Sequence, residues 1–517
     1  PAPTQRTGRE AGASKIRAIP ALASPRSALR IARGRTTVAK GMQTSLPSIT
    51  APQKTDVSKA AALTVASRGL AAARGRRAVN RPPGRSSVIL SLPAVARLGQ
   101  PKVPTGRANA AVSFGDNESR RILCTMPRVL IVNMPLFSLR WPNLGPSLLK
   151  AQLLRRGIAC QIAYFNYDLA EILGEDRYTW LADSFAFVLG GERLFARHYF
   201  GDRLPGDEAF FNDVLLAADP GLTSVDRRDY EAAAAVVDPF LERCAARDWS
   251  QYAVVGFAAS FQQTMASICL ARRIKSVAPD VRIVFGGAAC EGSMGIELIG
   301  RFPEIDYVCV GEADAAFPRL VEQILGGGGD LPAGVFGRES VRGGARPAAP
   351  DPCTFLTRDL DALAYPDFDD YFERRADSPL REEVDPLLFF ETSRGCWWGQ
   401  KHHCAFCGLN GSTLSYRSKT PRRAVDELRH LVERHGLHRA CSSDNILDHR
   451  YFDTFLPLLR GEDPEEVFRA RDEARERKAA ESKRVQRLRK SRSEQEPMEP
   501  DGQVAPGLSP MVGRQEE

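Results

Sequence analysis

The segment RVLIVNMPLFSLRWPNLGPSLLKAQLLRRGIACQIAYF, residues 128–165, decides the fold class. Its first seven residues form an apolar run of the length of a buried strand, and residues 160–165 form a second such run. Between the two runs, residues 145–157 have the pattern of a helix that ends at Gly157. A strand, a helix and a strand in this order predict parallel strands that helices cover on both faces.

The same alternation continues along the chain. Three further strand signals lie at residues 252–259, 281–287 and 306–312, with helix candidates at 262–279 and 294–302 between them. We therefore predict an α/β domain over residues 126–325, with a Rossmann-like, doubly wound parallel sheet. Residues 166–250 form a long insertion that is rich in helix-forming residues.

The charge of the chain is concentrated at its beginning. Residues 1–125 hold 22 Lys and Arg against four Asp and Glu, so that the rest carries −10 within the total of +8. The apolar residues of this basic leader show no sustained helical or strand period, so the leader is predicted to be disordered. We expect Met126 to be the natural start of the protein. Deleting 1–125 and losing the fold would contradict that expectation. Because aromatic residues are not interleaved with the basic residues and no folded motif accompanies them, no nucleic-acid partner is expected.

The remainder divides by composition into three parts. Residues 326–385 begin with a Gly- and Pro-rich stretch and are predicted to be a linker. Residues 386–460 begin a second strand and helix series, with helices expected at 421–436 and 450–460. The tail, 461–517, has dense mixed charge, which predicts either a solvated helix or disorder. No apolar window reaches the ~20 residues of a membrane span, so no membrane partner is expected.

Three cysteines cluster in SRGCWWGQKHHCAFCGLNG, residues 393–411. Eleven cysteines spread through a large chain favour a reducing compartment, and we expect the cytoplasm. The C-x7-C-x2-C spacing suits two kinds of metal site. Zinc needs a fourth ligand, which His402 or His403 could supply. An iron–sulfur cluster held by three cysteines instead leaves one iron open to a substrate. The spacing alone leaves both alternatives open.

The residues around these cysteines resemble a known family. The segments are ETSRGCWWGQKHHCAFCGLNG (391–411), YRSKTP (416–421), SSDNILDHRYF (442–452), VGFAASFQQTMASICLARRIKSVAPDVRIVFGGAACEGSMG (255–295) and IDYVCVGEAD (305–314). They resemble the radical S-adenosylmethionine enzymes that mature ribosomally made peptides such as bacteriocins. Within that family they are similar to the cobalamin-dependent C-methyltransferases. The resemblance covers residues 126–460 and implies that a radical S-adenosylmethionine barrel follows the first sheet.

The resemblance implies the ligands of two cofactors in the second part of the chain. Cys396, Cys404 and Cys407 are the expected ligands of a 4Fe–4S cluster, whose open iron would bind S-adenosylmethionine. Phe406 is expected at the adenine of S-adenosylmethionine. Asp444 and Asn445 are expected to bind its methionine amino group.

The third expected cofactor is cobalamin, at the carboxyl edge of the first sheet, where open α/β folds bind ligands. No G-x-G-x-x-G fingerprint follows the first strand, which argues against NAD or FAD. By themselves, paired glycines and the polar residues at 260–263 also suit a tight turn and a helix cap. The residues expected to bind cobalamin are Ser260, Phe261, Gly286, Gly287, Glu291, Gly292, Gly311 and Glu312. His198 is the only histidine between residues 126 and 325, so no histidine ligand of cobalt is expected.

The resemblance implies a radical reaction on a precursor peptide, most simply C-methylation of an unactivated carbon. A one-electron reductant of the flavodoxin or ferredoxin type is the expected second partner. Two strand–helix units precede the charged tail, whereas such a barrel needs about six, so we expect an incomplete (β/α) barrel. The alternative is a non-catalytic fragment that binds cobalamin or a metal.

Overall fold

The computed structural model describes residues 89–91, 128–260, 262–344, 355–405, 407 and 414–493. Six strands form the larger sheet, in the order β3-β2-β4-β5-β6-β7. They are β2 (Arg128–Asn133), β3 (Cys160–Tyr164), β4 (Tyr252–Ala258), β5 (Arg282–Gly286), β6 (Tyr307–Cys309) and β7 (Val335–Gly337). All neighbours pair in parallel except β6 and β7. This order confirms the predicted α/β fold with a mostly parallel, doubly wound sheet.

Helices flank the sheet and bury its strands. Val129, Leu130, Ile131 and Val132 of β2 are all at most 2% exposed, which explains the unbroken apolar run in the sequence. The helices of this part are α1 (Leu144–Leu154), α2 (Phe165–Leu173), α3 (Glu175–Ser184), α4 (Gly190–Phe200), α5 (Asp207–Phe210), α6 (Leu216–Ala218), α7 (Ser224–Ala235), α8 (Val237–Ala245), α9 (Thr264–Val277), α10 (Ser293–Arg301) and α11 (Ala316–Gly326). Short 3-10 turns at Ala186–Val188, Gly201–Arg203, Ala288–Cys290 and Arg338–Gly344 and a π-helical turn at Phe211–Leu215 connect them.

The insertion between β3 and β4 belongs to the same hydrophobic core as the sheet. It holds helices α2 to α8, as its composition predicts. Tyr178, Phe195 and Phe240 of these helices are fully buried. Thr223 begins α7 with a capping box, because its hydroxyl accepts from the Asp226 amide while the Asp226 carboxylate accepts from the Thr223 amide.

The segment after the predicted boundary at residue 325 is packed against the first sheet. Strand β7 extends that sheet, and helix α12 (Asp369–Ala376) follows it. Tyr371 is fully buried, and its hydroxyl donates to the Leu139 carbonyl at 2.7 Å. The ammonium of Lys150 lies 2.7 Å from a carboxylate oxygen of Asp370. These contacts join the connection firmly to the first sheet.

A second, smaller sheet follows. Strands β8 (Leu388–Phe390) and β11 (Arg439–Ser442) are parallel and are joined through α13 (Pro421–His435), which forms one β–α–β unit of the expected kind. Strands β9 (Ser393–Arg394) and β10 (Arg417–Ser418) pair separately. Helix α14 (Phe455–Leu459) and a 3-10 turn at His449–Asp453 follow β11, where residues 450–460 were predicted as one helix. Leu144 and Leu148 of α1 share the core of this second sheet.

Two segments outside the predicted domains contain secondary structure within the described residues. In the leader, β1 (Ile89–Ser91) pairs antiparallel with β11, because an open strand edge offers unpaired backbone groups to any extended segment. In the tail, α15 (Pro464–Ser493) is the solvated helix of the two alternatives, and Val467 anchors its first turns in the second core. No described helix is long and apolar enough to cross a membrane.

Candidate functional site

The carboxyl edge of the larger sheet has its topological switch point between β2 and β4. There the buried Gln263 side chain donates to Asn133 Oδ1 at 3.1 Å, and Asn143 Nδ2 donates to the same oxygen at 2.9 Å. Asn133 is fully buried, yet its Nδ2 has no hydrogen-bond partner. A buried donor without a partner at the ligand edge of an open α/β sheet is available to a ligand.

The paired glycines after β5 serve the packing of two loops. Gly287 has a φ of +98°, and a Cβ there would lie 2.5 Å from the Ala259 carbonyl oxygen. The Ala289 amide donates to that same oxygen at 3.2 Å. Gly287 therefore brings the loop after β5 against the loop after β4. At Gly292, whose φ is +55°, a Cβ would have open space, so the end of this loop leaves room at the edge.

The polar residues after β4 anchor the insertion. Gln262 accepts from the Gly191 amide at 2.8 Å and donates to the Ala182 carbonyl at 3.1 Å. Glu192 accepts from the first amides of α9, at 2.9 and 2.6 Å, and burial raises the pKa of this carboxyl. No local sequence pattern indicates these contacts, since the partners lie more than 70 residues apart.

The residues after β4 and β5 that are expected to bind cobalamin include Ser260, Phe261 and Glu291. The Ser260 hydroxyl donates to Gln263, which favours a turn and cap role for this stretch. Phe261 lies outside the described residues. Glu291 lies in the loop before α10, half-buried like its neighbour Gly292.

The cysteine loop begins with a close backbone contact. Gly395 has a φ of +80°, and a Cβ there would lie 2.1 Å from the Ser415 carbonyl oxygen. The next residue, Cys396, donates its amide to the Leu414 carbonyl at 3.3 Å. Only glycine fits this position, so Gly395 fixes the direction in which the chain enters the cysteine loop.

The three clustered cysteines differ from the others in exposure. Cys396, Cys404 and Cys407 are partly exposed, whereas the remaining described cysteines are buried: Cys160, Cys244, Cys269, Cys290, Cys309 and Cys441. Burial raises the pKa of Cys269 and of Cys309 to about 12, which keeps those thiols protonated. The chemistry of the exposed set therefore fits a thiolate-bound cofactor.

The described residues of the cysteine loop do not form a site for a single metal ion. Among the described residues, no three His, Cys, Asp or Glu side chains gather closely enough to hold one. His402 and His403 are exposed, and the rings of Trp398 and His402 are tilted relative to each other with centres 5.3 Å apart. Phe406 lies outside the described residues.

Asp444 spans the ends of β8 and β11. Its carboxylate accepts from the amides of Thr392 and Ser393, both at 2.8 Å, and from the Thr392 hydroxyl. Burial is the largest influence on this carboxyl and raises its pKa. Asp444 is expected to bind the methionine amino group of S-adenosylmethionine. In the structure, both of its carboxylate oxygens accept hydrogen bonds from Thr392 and Ser393, which lead to the cysteines. Asn445, the next residue of the same turn, is exposed.

The loop after β6 joins the first sheet to the cysteine-bearing segment. Glu312 accepts from both terminal nitrogens of Arg417, at 2.9 and 2.8 Å, and from Arg394 at 3.2 Å. Asp314 lies 2.7 Å from Arg394. Burial opposes ionisation of Asp314, but Arg394 holds its pKa below the usual value. Gly311 packs on Phe355, where a Cβ would approach to 3.1 Å.

No protein-family model matches the sequence, and no curated protein matches it. Solved structures that match include the cobalamin-dependent S-adenosylmethionine radical enzyme OxsB with aqua-cobalamin bound, at 14% identity and a TM-score of 0.35. The radical S-adenosylmethionine methyltransferase TsrM from Kitasatospora setae matches in two structures. One holds cobalamin and a 4Fe–4S cluster (14%, TM-score 0.35), and the other holds tryptophan substrate and an S-adenosylmethionine analogue (15%, TM-score 0.33).

The alignments cover part of each partner. They include 61% of this chain and 32% of OxsB, and 60% and 59% of this chain with 47% and 46% of TsrM. The chain thus spans between about a third and a half of the solved structures that it matches. The strand order described above, and not these alignments, defines the fold.

Proposed function

We propose that this chain is a cobalamin-dependent radical S-adenosylmethionine enzyme that modifies a ribosomally made precursor peptide, with C-methylation of an unactivated carbon as its reaction. The observation that carries the proposal is the cysteine triad. Cys396, Cys404 and Cys407 are the partly exposed cysteines of the described chain. They begin two residues after Arg394, whose side chain binds the loop at the edge of the larger sheet.

The residues suit the proposed cofactors in different degrees. Three thiolates leave one iron of a 4Fe–4S cluster open for S-adenosylmethionine. Cobalamin would lie at the sheet edge, where Asn133 Nδ2 is an unpartnered donor and Gly292 leaves open space. When bound, the cluster with S-adenosylmethionine supplies radical chemistry, and cobalamin supplies the methyl group. The chain itself holds these groups, orients the peptide and excludes water.

A second candidate function is a non-catalytic, cobalamin- or metal-binding fragment. The cobalamin-binding form of this fragment is favoured by the described side chains of the cysteine loop, which do not gather into a site for a metal ion. Asp444 also favours this function, because its carboxylate oxygens already accept hydrogen bonds from Thr392 and Ser393. In this function the loop would be a relic, and the larger sheet would bind cofactor alone.

Anaerobic reconstitution with iron and sulfide separates the two functions. The reduced protein should give an electron paramagnetic resonance signal that changes when S-adenosylmethionine is added. Cys404→Ala should lose the signal, whereas Cys309→Ala, which removes a buried thiol, should keep it. Retained hydroxocobalamin without any cluster signal would support the fragment. Loss of both would contradict both functions.

With a cluster in place, the peptide reaction becomes testable. We expect a flavodoxin- or ferredoxin-type donor to support cleavage of S-adenosylmethionine and methylation of a precursor peptide, measured by mass spectrometry. Cleavage that is never accompanied by methyl transfer to any peptide would contradict the methyltransferase assignment.

A further inference from the structure

Strands β9 and β10 place two like charges opposite each other. They pair antiparallel over two residues, with Arg394 directly across from Arg417. Like charges in directly opposed positions destabilise a strand pair, and a ladder of two residue pairs has little stability of its own. Something outside the pair must therefore hold these strands together.

The loop after β6 supplies the missing counter-charges. Glu312 binds Arg417 through two parallel hydrogen bonds and also binds Arg394, so that a single carboxylate bridges both guanidinium groups. Asp314 and Glu391 complete the shell around Arg394, at 2.7 and 2.8 Å. A carboxylate that binds two opposed arginines offsets the repulsion between their positive charges, because each guanidinium group forms a charge-assisted hydrogen bond with it.

The cluster is largely removed from water. The side chains of Arg394, Arg417 and Asp314 are 16%, 11% and 8% exposed. Thr357 donates its amide to Glu312 at 2.7 Å and its hydroxyl to Asp314 at 3.0 Å. Loss of one member of such a cluster leaves an uncompensated buried charge, which is far more costly than the loss of an exposed ion pair.

The strand pair continues directly into the cysteine loop. After Arg394, the chain turns at Gly395 and the amide of Cys396 bonds to Leu414, the third residue before Arg417. We propose that Arg394 and Arg417 are positioning residues that hold Cys396 against the larger sheet through Glu312 and Asp314. The sequence resemblance implies that Glu312 binds cobalamin. In this proposal its carboxylate instead holds the segment that leads into the cysteine loop. Its importance for the reaction rests on the proposed function, but the contacts and their test do not.

Residue-resolved alkylation of the apoprotein tests the proposal. N-ethylmaleimide labelling, followed by peptide mass spectrometry, gives a separate rate for Cys396 and for the buried Cys269. We expect Glu312→Gln to raise the Cys396 rate about tenfold while leaving Cys269 unchanged, because only the cysteine loop opens. Glu322→Gln is the matched control. It removes the same charge from an exposed pair with Arg156, whose atoms lie 3.2 Å apart, and should change neither rate.

A double-mutant cycle separates positioning from unrelated structural damage. If Glu312 acts by neutralising Arg417, the double variant Glu312→Gln/Arg417→Met should label Cys396 no faster than Glu312→Gln alone, because removal of Arg417 also removes its repulsion of Arg394, whereas independent effects would multiply. Arg417→Lys keeps the charge without the two parallel bonds and should give an intermediate rate. An unchanged Cys396 rate, multiplicative rates, or a parallel rise at Cys269 would overturn the proposal. None of these results depends on bound iron or cobalamin, so they are distinct from a failure of the proposed function.

Discussion

Replacing Gly395 by alanine should disrupt the entrance to the cysteine loop. The new Cβ would lie 2.1 Å from the Ser415 carbonyl oxygen, whereas real contacts of this kind exceed about 3 Å, so the backbone must move by about 1 Å. That movement breaks the hydrogen bond from Cys396 to Leu414, and the φ of +80° adds a cost of about 1–2 kcal/mol. The lost hydrogen bond costs about 1 kcal/mol, and the backbone shift costs a similar or larger amount. Together with the φ term, we expect the free energy of unfolding of the second sheet to fall by about 3 kcal/mol or more.

Gly436→Ala is the matched control for this prediction. Gly436 ends α13 with a φ of +66°, but a Cβ there meets nothing within 4 Å. The Gly436→Ala substitution should therefore lower the free energy of unfolding only by the cost of the positive φ, about 1 kcal/mol. Urea unfolding followed by tryptophan fluorescence compares the two variants, and iron loading of Gly395→Ala reports on the loop. Equal unfolding midpoints for the two variants would refute the argument from the Ser415 contact.

Three further changes test other parts of the structure. Glu427→Gln leaves the fully buried ammonium of Lys419 without its carboxylate and should cost about 3–5 kcal/mol in urea unfolding; a loss below about 1 kcal/mol would contradict this. Burial lowers the pKa of His435 to about 4, so the unfolded chain binds a proton that the folded chain does not. Stability should thus fall between about pH 6.5 and pH 4, and His435→Phe should flatten this slope; an unchanged slope would exclude His435 as its source. Tyr371→Phe removes a buried bond to the Leu139 carbonyl and should lower the free energy of unfolding by about 1 kcal/mol, with no change of fold by circular dichroism.

The α/β fold of the first 200 described residues was predictable because each parallel strand is buried on both faces. β2, β4 and β5 appear in the sequence as short apolar runs, and the helix that follows each has its own period. Helix α13 was equally clear, with Thr420 as its cap and Gly436 beyond its end. These signals lie within a few residues of each other, and the sequence alone contains them. The C-x7-C-x2-C spacing was visible for the same reason.

Other features depended on residues that are far apart in the chain. Glu192 accepts a hydrogen bond from the first turn of α9, 72 residues further along the chain, and Arg417 binds Glu312, which lies 105 residues before it. The strand at Ile89–Ser91 pairs with β11 although its own sequence shows no strand period.

The order of the strands and helices in the larger sheet and the presence of three clustered cysteines follow from local patterns in the sequence. The pairing of carboxylates with arginines, including the contact of Glu312 with the segment that carries Cys396, depends on the tertiary structure. The physical reason is that burial of an apolar face follows from local periodicity, whereas an ion pair forms wherever folding brings opposite charges together out of water.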